Sequence, residues 1–149
     1  MNEYAEALLS ATTLAMPKWV RRSVETVAKT AGVSLTDSAD VIDVAAADAT
    51  TLVSGRLRAL FDTDVDRQRT NPLEILRGAV PYPTSVLVGL GVQPLSRHQF
   101  ETERFPDDIY GLTPATWADI DESLYEPGII WGAWKAKTVL DRRRAQGMR

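Results

Sequence analysis

From Tyr4 to Phe61 the apolar residues return at steps of three and four. That is the spacing of helices that bury one side. Over residues 3–15 the stripe reads Tyr4, Ala7, Leu8, Ala11, Leu14 and Ala15, with Asn2 placed to cap the first turn. Pro17 suits the first position of a second helix. Val20, Val24, Val27 and Ala31 continue at helical steps, with Arg21–Glu25 and Glu25–Lys29 four apart on the opposite side. Gly32 predicts a left-handed stop, with Val33 as its apolar contact. Thr36 and Asp37 offer caps for a third helix over about residues 38–61. Its stripe is Val41, Val44, Ala45, Ala49, Leu52, Val53, Leu57, Leu60 and Phe61, and Gly55 weakens its middle.

Beyond residue 70 proline sets the boundaries. Asn71-Pro72 reads as a cap and a first helical position. Leu73, Leu76 and Val80 then share a side, with Ile75 and Ala79 beside them. Pro81 and Pro83 impose a turn around Tyr82. A short apolar helix over 83–90 follows, closed by Gly89 and Gly91. The string TSVLVGL also has the look of a buried strand, but no partner strand is apparent elsewhere. Ser96 and Gln99 fit a capping box for a helix over 97–104. Residues 105–127 mix proline, acids and aromatics, and Thr113-Pro114 suits a single turn carrying Trp117 and Ile120. Pro127 opens a last helix over about 128–146, with the stripe Ile129, Ile130, Ala133, Trp134, Lys137 and Leu140.

These elements predict an all-α fold, an irregular helical bundle with a long connection before the C-terminal helix. Residues 1–149 read as one helical domain, and the polar stretch 62–70 is the best candidate for a sub-division. At 44% apolar, a chain of 149 residues can bury a core without staples.

Composition removes several chemistries. There is no cysteine, which excludes disulfides, thiolate nucleophiles and thiolate-bound metals. His98 is the only histidine, so no two-histidine metal helix exists within one chain. The net charge of -3 gives no bulk attraction to nucleic acid or anionic lipid. No apolar run is long enough for a bilayer, and Glu3 and Glu6 are wrong for a secretory leader. The expected location is the cytoplasm, with no membrane partner and no cofactor.

Four strings carry more specific suggestions. TVAKTAGVS at 26–34 resembles the first helix and turn of bacterial helix-turn-helix repressors. The reader helix that would follow, 36–48, holds Asp37, Asp40, Asp43 and Asp48 and no Arg or Lys. That charge is wrong for phosphate and base contact. DTDVD at 62–66 spaces aspartates like a calcium loop, but the positions needing glycine and glutamate hold Arg67 and Leu73. A solvated loop pairing Asp64 and Asp66 with Arg67 and Arg69 is the expectation there. Residues 101–126 carry eight acids against the single base Arg104. Residues 127–149 carry Lys135, Lys137, Arg142, Arg143, Arg144 and Arg149 against the single acid Asp141. Opposed patches of this kind steer association and fix register.

The aromatics cluster late. Phe105, Trp117 and Trp134 are expected to pin the irregular segment to the helices, leaving Trp131 exposed. Over NPLEILRGAVPYPTSVLVGLGVQPLSRHQFETERFPDDIYGLTPATWADIDESLYEPGIIWGAWKAK (71–137) the chain resembles a family of small actinobacterial proteins. The resemblance implies a cytoplasmic setting and carries no activity, cofactor or site residue.

The functional expectation is a non-catalytic protein that binds another protein or a second copy of itself. Its contact residues are expected to be Phe105, Asp107, Asp108, Tyr110, Trp131, Arg142, Arg143 and Arg144. Two alternatives stand beside it. One is nucleic-acid binding, by the 26–48 helix pair or by the basic last helix. The other is an enzyme using carboxylates that converge in a cleft.

Overall fold

The computed structural model describes residues 1–94 and 103–147. Every regular element among them is helical. The first is α1, Glu3–Thr30, capped by Asn2, whose Oδ1 accepts the Ala5 N–H at 2.8 Å. Pro17 lies inside α1 and does not begin a second helix. Thr12, fully buried, satisfies its hydroxyl on the Leu8 carbonyl at 2.7 Å. Gly32 closes α1 with φ +72°. The Val33 N–H reaches the Ala28 carbonyl at 2.8 Å and the Gly32 N–H reaches Lys29 at 3.1 Å. This paired closure is what the Gly-Val string predicts.

The second long helix, α2, spans Ala39–Asp62 and takes Ser38 as its cap residue, in place of Thr36 or Asp37. Three contacts give its direction. The Met1 amino group lies 4.0 Å from Asp62, the Thr13 and Ser54 hydroxyls are 2.9 Å apart, and Arg21 Nε lies 3.3 Å from Asp43. The partner number falls as the α1 number rises, so the two helices run antiparallel over their whole length. The 26–48 pair is the closed end of this hairpin. Arg21 takes Asp43 across the hairpin in place of Glu25 along its own helix.

The buried sides differ from the expected stripes by about one residue. On α1 the core takes Ala5, Leu8, Leu9, Thr12, Ala15 and Met16, while Leu14 is 73% exposed and Tyr4 and Ala7 face outward. Continuity through Pro17 explains the shift. Val20 and Val24 are fully buried, and stepping back from Val20 on one helix leads to Met16, Thr12, Leu9 and Ala5. On α2, Ile42 and Ala46 are buried where Val41 and Val44 were expected, and the second half, Val53 to Phe61, is buried as read.

A short 3-10 turn, Val65–Arg67, follows α2 and buries Val65. Helix α3, Pro72–Arg77, is capped by Asn71 at 3.0 Å from the Leu73 N–H. Helix α4 runs Pro81–Gly89, so Pro81 itself begins it, and the TSVLVGL string is helical. Leu76 of α3 and Leu87 of α4 are fully buried against the hairpin.

The remaining described elements are α5, Trp117–Ile120, a 3-10 turn, Glu122–Leu124, and the last helix α6, Tyr125–Ala145. The capping box of α5 is Thr116 with Asp119, three residues beyond Thr113. Helix α1 touches α2, α4, α5, α6 and the turn before α6. Arg22 of α1 holds this region by binding the Ile120 carbonyl and lying 3.9 Å from Asp121. One apolar cluster runs from Ala5 through Trp131 and includes residues on both sides of 62–70.

Trp117 seats the short α5 on the start of α6. A methyl group at Gly128 would lie 2.5 Å from Trp117 Cδ1 and 2.7 Å from Cγ. Only a bare Cα lets the ring approach so closely. Gly128→Ala is therefore expected to displace the indole and cost about 1–3 kcal/mol, read as a lower urea midpoint at unchanged slope. A midpoint at or above that of the parent chain would contradict this packing.

Candidate functional site

Two surfaces emerge from the expected contact residues. The first is built by the segment after residue 102. Asp108 is nearly fully buried and organises this segment. Its carboxylate accepts the Leu112 N–H at 2.7 Å, the Thr113 N–H at 2.8 Å and the Thr113 hydroxyl at 2.6 Å. Gly111 turns the chain with φ +68°. Tyr110 is buried too, and its hydroxyl donates to the Val92 carbonyl at 2.7 Å. Desolvation raises the Tyr110 pKa above its usual value. Asp108 thus pins the turn within the loop and Tyr110 ties it to Val92 just beyond α4, so both of these expected contact residues are buried. The acid is consumed by backbone donors that the turn would otherwise leave unmet.

Phe105 and Asp107 do reach a surface. They border a groove of about 570 Å³ between α4 and this loop. Its lining includes Arg77, Val80, Pro81, Thr84, Val88, Arg104 and Pro106. The Phe105 ring carries two guanidinium groups, Arg104 at 5.0 Å and Arg77 at 5.5 Å from its centre. Arg77 Nε and Thr84 Oγ1 are closed off from solvent and have no hydrogen-bond partner. Neither Arg77 nor Thr84 stood out in the sequence. An arginine in the last turn of a short helix reads as a dipole complement, and nothing in its spacing connects it to Phe105.

The second surface is α6. Trp131, expected outside, is 5% exposed and packs against Phe61 with ring centres 5.2 Å apart. Lys135 covers the same indole at 5.4 Å and donates to the Gln68 carbonyl at 3.4 Å. Desolvation, aided by Arg69, lowers the Lys135 pKa. The side of α6 turned to the core therefore carries Gly128 and Trp131, with Trp134 half-buried and 6.4 Å from Tyr4. Most of the expected core stripe points outward: Ile129 is 52% exposed, Ile130 41% and Leu140 47%, and only Trp134 of it is half-buried.

The three arginines also separate. Arg142 Nη1 lies 2.7 Å from Asp64 and 3.2 Å from Asp66. These aspartates pair with the last helix, not with Arg67 and Arg69 as expected. Arg143 and Arg144 are exposed and form no ion pair among the described residues. His98, Phe100 and the Ser96–Gln99 capping box lie outside the described residues. Among the described residues no three acids or histidines gather in a metal-binding group, and no helix is long and apolar enough to cross a membrane.

Comparison with known protein families, with curated proteins and with solved structures finds no match.

Two tests follow from this geometry. Tyr110→Phe removes the donor to a buried carbonyl and is expected to cost about 1–2 kcal/mol in urea unfolding. A neutral substitution would mean that the loop is not tied to Val92. The second test concerns acid. Asp64 is lowered from its ordinary pKa of 3.8 chiefly by the Asp66 backbone N–H, with Arg142 adding to it. Asp121 is lowered from 3.8 chiefly by the Ser123 backbone N–H and its side chain, with Arg22 and Lys18 adding. A carboxylate lowered by folding stabilises fully above its unfolded pKa and loses that contribution as pH falls through the folded value. The melting temperature should therefore hold flat, as far as these groups go, above about pH 5 and fall below about pH 4. Asp64→Asn with Asp121→Asn should lower the plateau and make the acid limb shallower, and an unchanged acid limb would exclude these two acids as its source.

Proposed function

We propose that this chain works by protein–protein association, with the outer side of α6 as the contact face and a second copy of the chain as its occupant. The single observation that carries the reading is an exposed apolar seam of helical spacing. Ile129, Ala133, Ala136 and Leu140 are all exposed and fall at steps of four, three and four. That is the spacing of a two-helix seam. Trp131 lies on the opposite side, in the core, so the seam faces away from the rest of the chain.

The charges support an antiparallel, two-fold pairing. Set with its own copy so that Ile129 opposes Leu140, the seam also sets Ala133 against Ala136. The same register brings Glu126 opposite Arg143 and Tyr125 opposite Arg144. Acid at one end of α6 and base at the other thus complement each other across a two-fold axis. The small alanines at the centre allow the helices to approach closely. Tyr4 and Ile130, both exposed, widen the apolar face beside the seam. The resemblance to small actinobacterial proteins adds a cytoplasmic setting to this reading. The expected face joined the 105–126 segment to the basic end of the last helix, and the proposed one keeps to α6 because Asp108 and Tyr110 are spent inside the fold.

Light scattering on a size-exclusion column is expected to give a dimer. Ile129→Glu with Leu140→Glu should give a monomer with the same helical circular dichroism. Arg143→Glu alone should weaken the dimer at low salt by about tenfold, and adding Glu126→Arg should restore it. A chain that stays monomeric across the accessible concentrations, or a dimer indifferent to these changes, would refute the self-pairing.

A further inference from the structure

We propose that the groove between α4 and the 103–113 segment is a binding site for a small amphiphile with one carboxylate head. The volume of about 570 Å³ lies within the range of small-molecule sites. The lining is divided in kind. Val80, Pro81, Val88 and Pro106 supply apolar wall. Arg77, Arg104, Thr84 and Ser85 supply donors.

The choice of an anion rests on two independent observations. The first is the pair of guanidinium groups gathered on one phenylalanine, Arg104 at 5.0 Å and Arg77 at 5.5 Å. Among the described residues neither arginine forms an ion pair. Two cations brought onto one ring repel each other, and an oxyanion between or beside them removes that repulsion with charge-assisted hydrogen bonds. The second is the pair of orphan polar atoms. Arg77 Nε and Thr84 Oγ1 are shut off from solvent and unpartnered. A buried donor without an acceptor costs on the order of 1–3 kcal/mol. Arg77 Nε has only a donor to offer, so what it lacks is an acceptor. A ligand oxygen supplies it when the Arg77 side chain turns toward the groove.

A single negative charge fits better than two. The Asp107 carboxylate is exposed at the groove's edge, and Asp108 lies behind it with its oxygens already engaged by Leu112 and Thr113. Both carry negative potential into the site, which opposes a dianion more than a monoanion. The apolar walls require a body that is hydrocarbon. Together these conditions describe a medium-chain or aromatic monocarboxylate, not a free phosphate or a sugar.

This site is separate from the seam on α6, so the two readings stand or fall apart. The test is isothermal titration of the full chain with four probes: octanoate, octanamide, octyl phosphate and acetate. Octanoate is expected to saturate one site per chain. Octanamide, which lacks the charge, is expected to bind at least about tenfold more weakly, and acetate, which lacks the body, to give no binding. Octyl phosphate is expected to bind more weakly than octanoate at neutral pH. Arg77→Gln and Phe105→Ala should each weaken octanoate by at least about tenfold. If either fails to fold by circular dichroism, Arg104→Gln and Thr84→Val carry the same comparison. The Ile129→Glu, Leu140→Glu chain should bind octanoate as the parent does, whatever its oligomeric state. Equal affinity for octanoate and octanamide, tighter binding of octyl phosphate, or octanoate affinity indifferent to the arginines would overturn the proposal.

Discussion

Helix α1 is the element on which every other one depends for a surface. Its buried positions begin at Ala5 and run through Leu8, Met16, Trp19 and Val24 to Ala28, and they meet α2 on one side and α4 and α6 on others. A helix of 28 residues is about 42 Å long, enough to seat two long partners and the short α4 together. The helices packed on its buried side turn their other sides outward. Their outer sides carry the surfaces proposed for binding. The position of both candidate surfaces follows from that arrangement. The α6 seam lies on the far side of the helix from Phe61, and the groove lies at the rim of α4.

The helical class was readable because the spacing of apolar residues in the first sixty positions admits little else. The phase of each helix was less so, and the reasons are local. Pro17 reads as a start signal, which cuts the link between Val20 and the residues before it. Once that link is lost, Leu14 and Leu9 are equal candidates for the core. In α6 the difficulty is different. Its apolar residues lie on two sides, Gly128 and Trp131 on one and Ile129, Ala133 and Leu140 on the other. A helix patterned in this way has no single stripe to find. The larger aliphatic residues drew the core assignment, and Gly128 gave no hint that it seats Trp117.

The site was legible in part for the same physical reason. Phe105 and Asp107 belong to a segment whose composition marks it, and they do reach the surface. Asp108 and Tyr110 look identical in kind, yet irregular backbone needs internal partners, and these two supply them. Three consecutive arginines likewise suggest one patch, but successive residues on a helix point about 100° apart. Arg142 is drawn to Asp64 and Asp66 while Arg143 and Arg144 are not. Charge counted along a sequence is therefore a poor guide to charge counted on a face.

Pro17 has a mechanical meaning as well as a topological one. Proline offers no N–H, so the Thr13 carbonyl is left without its usual helical donor. At that same turn the Thr13 hydroxyl meets Ser54 across the hairpin at 2.9 Å, a lateral stitch beside the missing axial one. A missing axial bond and a lateral stitch thus share one turn, so the longest of the described helices borrows stiffness from its neighbour where its own ladder is weakest.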